Sequence, residues 1–150
     1  MSAAPQQILS ALKTLLLAGG TAASSRVFLH RVDPLQPDEL PAIVIEEDGP
    51  ERAEIIMMDG GERRELDAII YCTLASSITA PADCQAFGLA AEKLIAASAT
   101  LKALCVFGVN LLERSTIING EGDRFLAASQ QKWRFAYWVH PLNPDVINPT

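Results

Sequence analysis

The stretch Arg26–Asp48, RVFLHRVDPLQPDELPAIVIEED, sets how the chain enters its sheet. Val27–Arg31 is a short apolar run that predicts a strand, and Ala42–Glu47 is a β-branched run that predicts another. Between them the backbone loses donors and has φ fixed at three prolines, so a stiff but irregular crossing is expected. The three are Pro34, Pro37 and Pro41. The second strand ends in acidic residues, and Asp48-Gly49-Pro50 predicts a turn.

On the N-terminal side of this stretch, residues 5–18 predict a helix. Leucines and Ile8 recur at three- and four-residue steps and give one apolar stripe. Pro5 suits the first turn of a helix, and Gly19-Gly20 suits its end.

On the C-terminal side, two turn sequences predict two β-hairpins. Asp59-Gly60-Gly61 separates Arg52–Met58 from Glu62–Ala75, and Asp-Gly and Gly-Gly tolerate the positive φ of tight turns. Residues 119–123, Asn-Gly-Glu-Gly-Asp, separate Val109–Ile118 from Phe125–His140. Trp133, Phe135, Tyr137 and Val139 alternate along the last strand and are expected to face the core.

Between the hairpins, Ala82–Ala99 predicts a second helix, whose buried stripe is expected to be Phe87, Ala90, Ala91, Leu94 and Ile95. Leu101–Phe107 could form a short helical turn. The predicted order is α-β-β-β-β-α-β-β in one domain, residues 1–150, with an ordered core at about 5–140. The fold class is therefore α+β, with a mixed or antiparallel sheet of about five to six strands and two main helices on one face. The Pro/Asn-rich tail 141–150 is not expected to form regular structure alone.

The second face of this sheet is unusually apolar. In the strand after the first hairpin, Glu65 and Asp67 are followed on the same face by Ile69 and Tyr71. An antiparallel sheet normally shows water a polar second face. We expect a neighbouring subunit to cover this surface; the alternative is a hairpin that curls over its own core.

The composition narrows the function classes. A net charge of −6 and a pI of about 4.8 argue against a general DNA or RNA binder, which needs a basic surface. They are compatible with a protein that lets DNA pass without sticking. No signal peptide or membrane span is expected, because no apolar run approaches the roughly 20 residues that a span requires.

Candidate sites for chemistry are weak. His30 and His140 are the only histidines, and no serine or cysteine lies in a nucleophile-elbow context. The three cysteines are widely spaced without a CxxC pair, which gives neither a disulfide framework nor a zinc motif and favours a reducing compartment. The acidic residues at 46–48, 51 and 54 could serve acid–base work or a cation, but their spacing fits no calcium loop, and a solvated strand end is favoured. No catalytic residue, cofactor or metal is therefore predicted.

Taken in order, the segments resemble a tail terminator, or tail completion, protein of long-tailed bacteriophages. The resemblance covers most of residues 5–140. It rests on the N-terminal helix, ELPAIVI with its acidic end, RRELDAIIYCTLA, LAAEKLIAAS, LKALCVFGVNLLER and KWRFAYWVHP. No single motif is diagnostic; order and spacing carry it together.

The resemblance implies a structural subunit without enzymatic activity. Such subunits form a ring, expected to be a hexamer, that caps the tail tube, stops tube polymerisation and receives the head-side connector. The implied partners are copies of the chain itself, the tail tube protein and the connector protein, with DNA only passing through the lumen and no membrane. The implied location is the head-proximal end of the virion tail, and the host cytoplasm before assembly.

Family contact residues share no motif, so the interface is assigned from exposure and charge. The predicted interface residues are Glu46, Glu47, Asp48, Asp59, Glu62, Arg63, Arg64, Glu121, Asp123 and Arg124. Two alternatives remain open. One is another phage head–tail joining or tail-tube protein. The other is a small α+β enzyme or ligand-binding domain that uses His30 with Glu46–Asp48.

Overall fold

The computed structural model describes residues 3–31, 33, 35–55, 60–75, 80–121 and 124–149, with side chains throughout except at 37, 80, 118–121, 124 and 125. The elements follow in chain order: α1 (Ala4–Ala18), β1 (Val27–Leu29), a 3-10 turn (Pro37–Glu39), β2 (Ala42–Glu47), β3 (Arg52–Ile55), β4 (Glu62–Ala75), α2 (Ala80–Ala97), α3 (Ala99–Leu104), β5 (Gly108–Glu121), β6 (Arg124–His140) and β7 (Asn143–Ile147).

All strands in these ranges join one mixed sheet in the order β1-β2-β4-β6-β5. The long strands β4 and β6 form its centre and pair from Glu62 opposite Val139 to Ala75 opposite Leu126. β3 pairs with the start of β4, on the edge of β4 where β2 pairs farther along. β7 pairs with the end of β6, on the edge of β6 where β5 pairs farther along. Only β1 and β2 run parallel; the other pairs are antiparallel. The predicted α+β class with a mixed sheet is confirmed.

The helices cover one face of this sheet, which we call the inner face. The apolar stripe of α1 packs there with α2 and with the inward residues of β2, β4 and β6. Fully buried members include Ile8, Leu12, Ile43, Ile70, Ile95, Phe135 and Tyr137. The alternation predicted for β4 and β6 puts these side chains inward, because successive strand residues point to opposite faces. Among the described helices, none combines the length and the apolarity that a membrane crossing needs.

Helix α2 approaches β6 closely at Gly88. A Cβ added there would lie 2.3 Å from Ser129 Oγ, so only glycine fits. The buried Gln131 amide donates to the Gly88 carbonyl at 2.6 Å and accepts from Trp133 Nε1 at 3.0 Å. The buried side of α2 therefore includes Cys84 and Gly88 beside Phe87, Ala91 and Ile95. The predicted Ala90 is exposed instead.

The crossing is braced by side chains. Arg31 binds both carboxylate oxygens of Glu39, one of them at 2.7 Å. Glu39 also accepts from the Gln36 backbone amide at 2.9 Å, which caps the 3-10 turn. Arg26 Nε donates to the Pro41 carbonyl at 2.7 Å. The first strand is shorter than predicted: it ends at Leu29, because His30 has a φ of +55°, which strand geometry does not allow.

The tail 141–150, which was not expected to form regular structure alone, forms a strand against β6. Asn143–Ile147 forms β7, with Ile147 opposite Val139, and raises the strand count above the predicted five to six. β5 pairs with β6 only as far as Ala136, so the end of β6 offers a free edge that β7 fills. Gln7 Nε2 donates to the Asp145 carbonyl at 2.6 Å, and Asn148 Nδ2 donates to the Ala103 carbonyl at 2.8 Å. The tail is thus tied to α1 and α3.

The remaining boundaries differ by a few residues. The second helix spans Ala80–Ala97. The helical turn predicted at 101–107 is present as α3 but shifted to Ala99–Leu104, and Ser98 caps it by accepting from the Leu101 amide at 3.2 Å. β5 and β6 extend further toward each other than predicted. The Met57, Met58 and Asp59 end of the first hairpin lies outside the described residues.

Candidate functional site

The outer face of the sheet, opposite the helices, has an apolar half and a charged half. Strand register aligns Val44, Tyr71, Gln130 and Ser115 in one row across four strands. It aligns Ala42, Thr73, Ala128 and Ile117 in the next. Toward the other end, Asp67 lies opposite Arg134, and Glu65 lies beside Arg52. The predicted change from charged to apolar along β4 is therefore shared by Ala42 and Val44 of β2 and by the Ala128–Ile117 pair of β6 and β5, whereas Gln130 and Ser115 are polar.

The apolar half contains a groove with a volume of 410 Å³. Its floor is formed by Val44, Tyr71, Thr73, Ala128, Leu126 and Ile117, and Arg31, Asp33 and Leu35 of the crossing form one wall. Ile117 and Leu126 are 40% and 38% exposed although both are large and apolar. The braced crossing thus holds one side of an open apolar groove.

The groove carries negative charge. The Arg31 guanidinium is engaged by Glu39, while Asp33 and Glu46 also line the groove. Burial raises the pKa of the Tyr71 hydroxyl, and the nearby Glu46 and Asp48 carboxylates raise it further. The surface therefore suits an apolar partner that brings positive charge.

The charged half is a network of ion pairs centred on Asp67, whose side chain is only 5% exposed. Arg134 binds both of its oxygens, at 2.9 and 3.1 Å, and Arg52 binds one at 3.2 Å. Arg134, ahead of Arg52, holds the pKa of Asp67 below its ordinary value despite burial. Lys132 bonds Asp48 at 2.7 Å beside this network. These ion pairs hold neighbouring strands in register, and the charged groups that they join are already occupied and so are poorly placed to bind a ligand.

The structure separates the three acidic residues predicted as an interface cluster. Glu46 lines the groove, Asp48 is paired with Lys132, and Glu47 points to the opposite side of β2. His30 Nε2 lies 4.0 Å from Glu47, and both side chains are 43% exposed. Glu51 accepts from the Tyr137 hydroxyl and from Arg64 at 3.4 Å, and Glu54 lies 3.9 Å from Arg63. These carboxylates contact different partners and form no common site.

The predicted interface residues Glu62, Arg63 and Arg64 are the first three residues of β4, which pairs here with β3 on one side and β6 on the other. Arg63 pairs with Glu65 at 2.8 Å on the outer face, and Arg64 Nη2 lies 3.1 Å from Glu62. In the second hairpin, Glu121 and Arg124 are opposite each other in the strand register. Asp59 and Asp123 lie outside the described residues. The assignment of all these residues to an interface stays a prediction.

The cysteines are placed as core residues. Cys72, Cys84 and Cys105 are free and buried, and burial raises the pKa of Cys72 and of Cys105 to about 12. A thiol with such a pKa is not a nucleophile at neutral pH. In the described part of the chain, no three His, Cys, Asp or Glu residues come together as a metal site.

Sequence reasoning did not find the groove as a unit. Its floor combines Val44, Tyr71 and Ile117, which come from three distant segments and meet only through the β2–β4–β6–β5 register. The sequence carries one local sign of the groove: two large apolar residues, Ile117 and Leu126, lie on either side of the polar turn at 119–123. No family model matches this sequence, and no curated protein matches it.

Proposed function

We propose that this chain is a structural subunit of a long-tailed bacteriophage. It acts as a tail terminator: copies close into a ring on the finished tail tube, stop tube polymerisation and provide the attachment surface for the head-side connector. The observation that carries the proposal is the apolar half of the outer face, which no element of the described chain covers. A small subunit whose sheet is apolar on its inner face and over half of its outer face suits an assembly in which neighbours bury that exposed half.

The charge supports the same function. A net charge of −6 per chain gives an acidic ring, past which a DNA backbone can move without binding. The helices take up the inner face, so the outer face and the strand edges remain for assembly contacts.

The test compares tails assembled in a phage strain with and without the gene, viewed by negative-stain electron microscopy. With the protein, tubes are expected to have uniform length, with one ring at the head-proximal end and an attached head. Without it, overlong tubes and free heads are expected. Unchanged tube lengths and joined particles in its absence would rule the proposal out.

The purified protein discriminates between two phage roles. A terminator closes as one ring, in solution or on the tube end, whereas a tail-tube subunit polymerises into long cylinders. Long cylinders formed by the protein alone would assign it to the tube instead.

A further inference from the structure

A second apolar feature projects from the other end of the outer face. Val106 and Phe107, in the loop between α3 and β5, are 53% and 37% exposed. The Arg63 guanidinium lies over the Phe107 ring, 5.9 Å from its centroid, and exposed Lys102 precedes them on α3. We call Val106 and Phe107, with Lys102 and Arg63, the knob.

The knob and the groove are complementary. The groove is apolar with the carboxylates of Asp33 and Glu46 at its edge. The knob is apolar with the Arg63 guanidinium over Phe107, although Arg63 also pairs with Glu65 at 2.8 Å. Within the described part of the chain, its unpaired positive charge is the exposed Lys102, four residues before Val106. An aromatic side chain that enters an apolar pocket while its rim pairs opposite charges is the usual composition of a strong protein contact. Each feature therefore provides what the other lacks.

A single molecule cannot join its own knob to its own groove. The Phe107 amide donates to the Ala136 carbonyl at 3.1 Å, whereas the groove contains Ala128 of the same strand. Eight residues of β6 separate the two alanines, which is about 26 Å at the rise of a strand. The central strands β4 and β6 hold this separation rigidly. A partner for each feature must come from another molecule.

We infer that the knob of one copy of this chain occupies the groove of the next. Because the two surfaces differ, the contact is heterologous, and repeating it generates either a closed ring or an open filament, according to the rotation between subunits. The inference deepens the proposed function and rests on it for closure into a ring. The contact itself can be tested without phage.

Two variants block one side of the contact each. Val106→Glu places a carboxylate on the knob, and Ile117→Glu places one in the groove; both positions are exposed, so folding is expected to survive. Sedimentation of the wild-type chain up to about 1 mM should show self-association, and each variant should associate at least ~30-fold more weakly. Leu142→Glu is the matched control, since Leu142 is 82% exposed and lies in neither surface, and it should associate as wild type does.

An equimolar mixture of the two variants gives the sharper result. The intact knob of Ile117→Glu can enter the intact groove of Val106→Glu, so a one-to-one heterodimer and nothing larger is expected. A double variant, Val106→Glu with Ile117→Lys, exchanges the charges and should recover self-association. Circular dichroism and thermal melting confirm that each variant is folded, and a misfolded Ile117→Glu is replaced by Leu126→Glu on the same groove floor.

The inference is overturned if the wild-type chain stays monomeric throughout, if either single variant associates as wild type does, or if the mixture stays monomeric. It is also overturned if the Leu142 control weakens association equally. Rings on tail tubes that persist with both variants would reject the contact and leave the terminator function standing. A wild-type assembly that uses this contact but closes as a dimer, or grows as a filament, would retain the contact and reject the terminator.

Discussion

Gly88 is a residue whose absence of a side chain lets a helix touch the sheet. Ala in place of Gly normally stabilises an exposed helix by about 1 kcal/mol. Here the added Cβ would meet Ser129 Cβ at 2.9 Å as well as its hydroxyl. Gly88→Ala should therefore reverse the usual sign and destabilise by about 1–3 kcal/mol, measured by urea unfolding.

The matched test of this cause is Ser129→Gly, which removes the atoms that the new Cβ would meet. In the double variant Gly88→Ala with Ser129→Gly, the loss should be smaller than the sum of the two single losses. Additive losses would show that the close approach to Ser129 is not the source of the effect.

Asp67 is a carboxylate whose burial is tolerated only because two arginines bind it. Its pKa is lowered in the folded protein, so its ionised form stabilises the fold above the unfolded-state value of about 4. Asp67→Asn should cost about 1.5–3 kcal/mol at pH 7, as for hydrogen bonds to a charged group. The difference from wild type should shrink as the pH falls below about 4, because the unfolded wild-type chain then binds a proton at Asp67, and it should vanish once the folded carboxylate is protonated as well.

Urea unfolding at pH 7 and at pH 3 measures both quantities. Glu54→Gln serves as the comparison, since Glu54 is 70% exposed and its pair with Arg63 is 3.9 Å long. That variant should change stability little at either pH. An Asp67→Asn deficit that stays constant between the two pH values would contradict this account.

At the scale of elements, periodicity predicted the strands and helices whose own residues form an apolar stripe. β2, β4 and β6 alternate along the chain, so the inward positions of Ile43, Ile70 and Phe135 could be read locally. β7 could not. It contains Pro144, and its apolar and polar residues do not alternate. It forms because β6 extends beyond the last residue that pairs with β5 and so leaves a free edge. A strand of this kind is determined by its neighbour rather than by its sequence.

The attachment of β7 can be tested with two substitutions. Ile147 packs against the core, whereas Leu142, at the turn before β7, is almost fully exposed. Ile147→Asp should therefore release the strand and destabilise by about 2 kcal/mol, in the range for burying an unpaired polar group. Leu142→Asp should leave the melting temperature nearly unchanged. Hydrogen exchange should show lost protection at Asn148, whose amide donates to the Trp138 carbonyl at 2.9 Å; retained protection would contradict the attachment.

At the scale of the whole molecule, the sequence predicted an apolar second face but not its shape. The change from Glu65 and Asp67 to Ile69 and Tyr71 can be read from the sequence because it lies in one strand. The groove cannot be read in this way, since its residues meet through pairing across segments as distant as Val44 and Leu126. The acidic residues at 46–48 show the opposite difficulty. They are adjacent in sequence but point to opposite faces of β2, so a cluster of charge in the sequence becomes separate contacts in the structure.

That alternation gives a last prediction, because Glu46 and Glu47 are neighbours in sequence on opposite faces of one strand. If the groove is the docking surface, Glu46→Lys should weaken self-association by adding positive charge where the knob brings its own. Glu47→Lys, next to His30 and away from the groove, should have little effect on association. Both variants should melt near the wild-type temperature, since neither side chain is buried. Ile43→Asp, at a fully buried position on the inner face of the same strand, should instead lose the fold. Sedimentation measures the association of the three variants, and thermal melting measures their folding. If both lysine variants weaken association equally, the interface includes the whole acidic end of β2, as the sequence alone suggested, and is not confined to the groove.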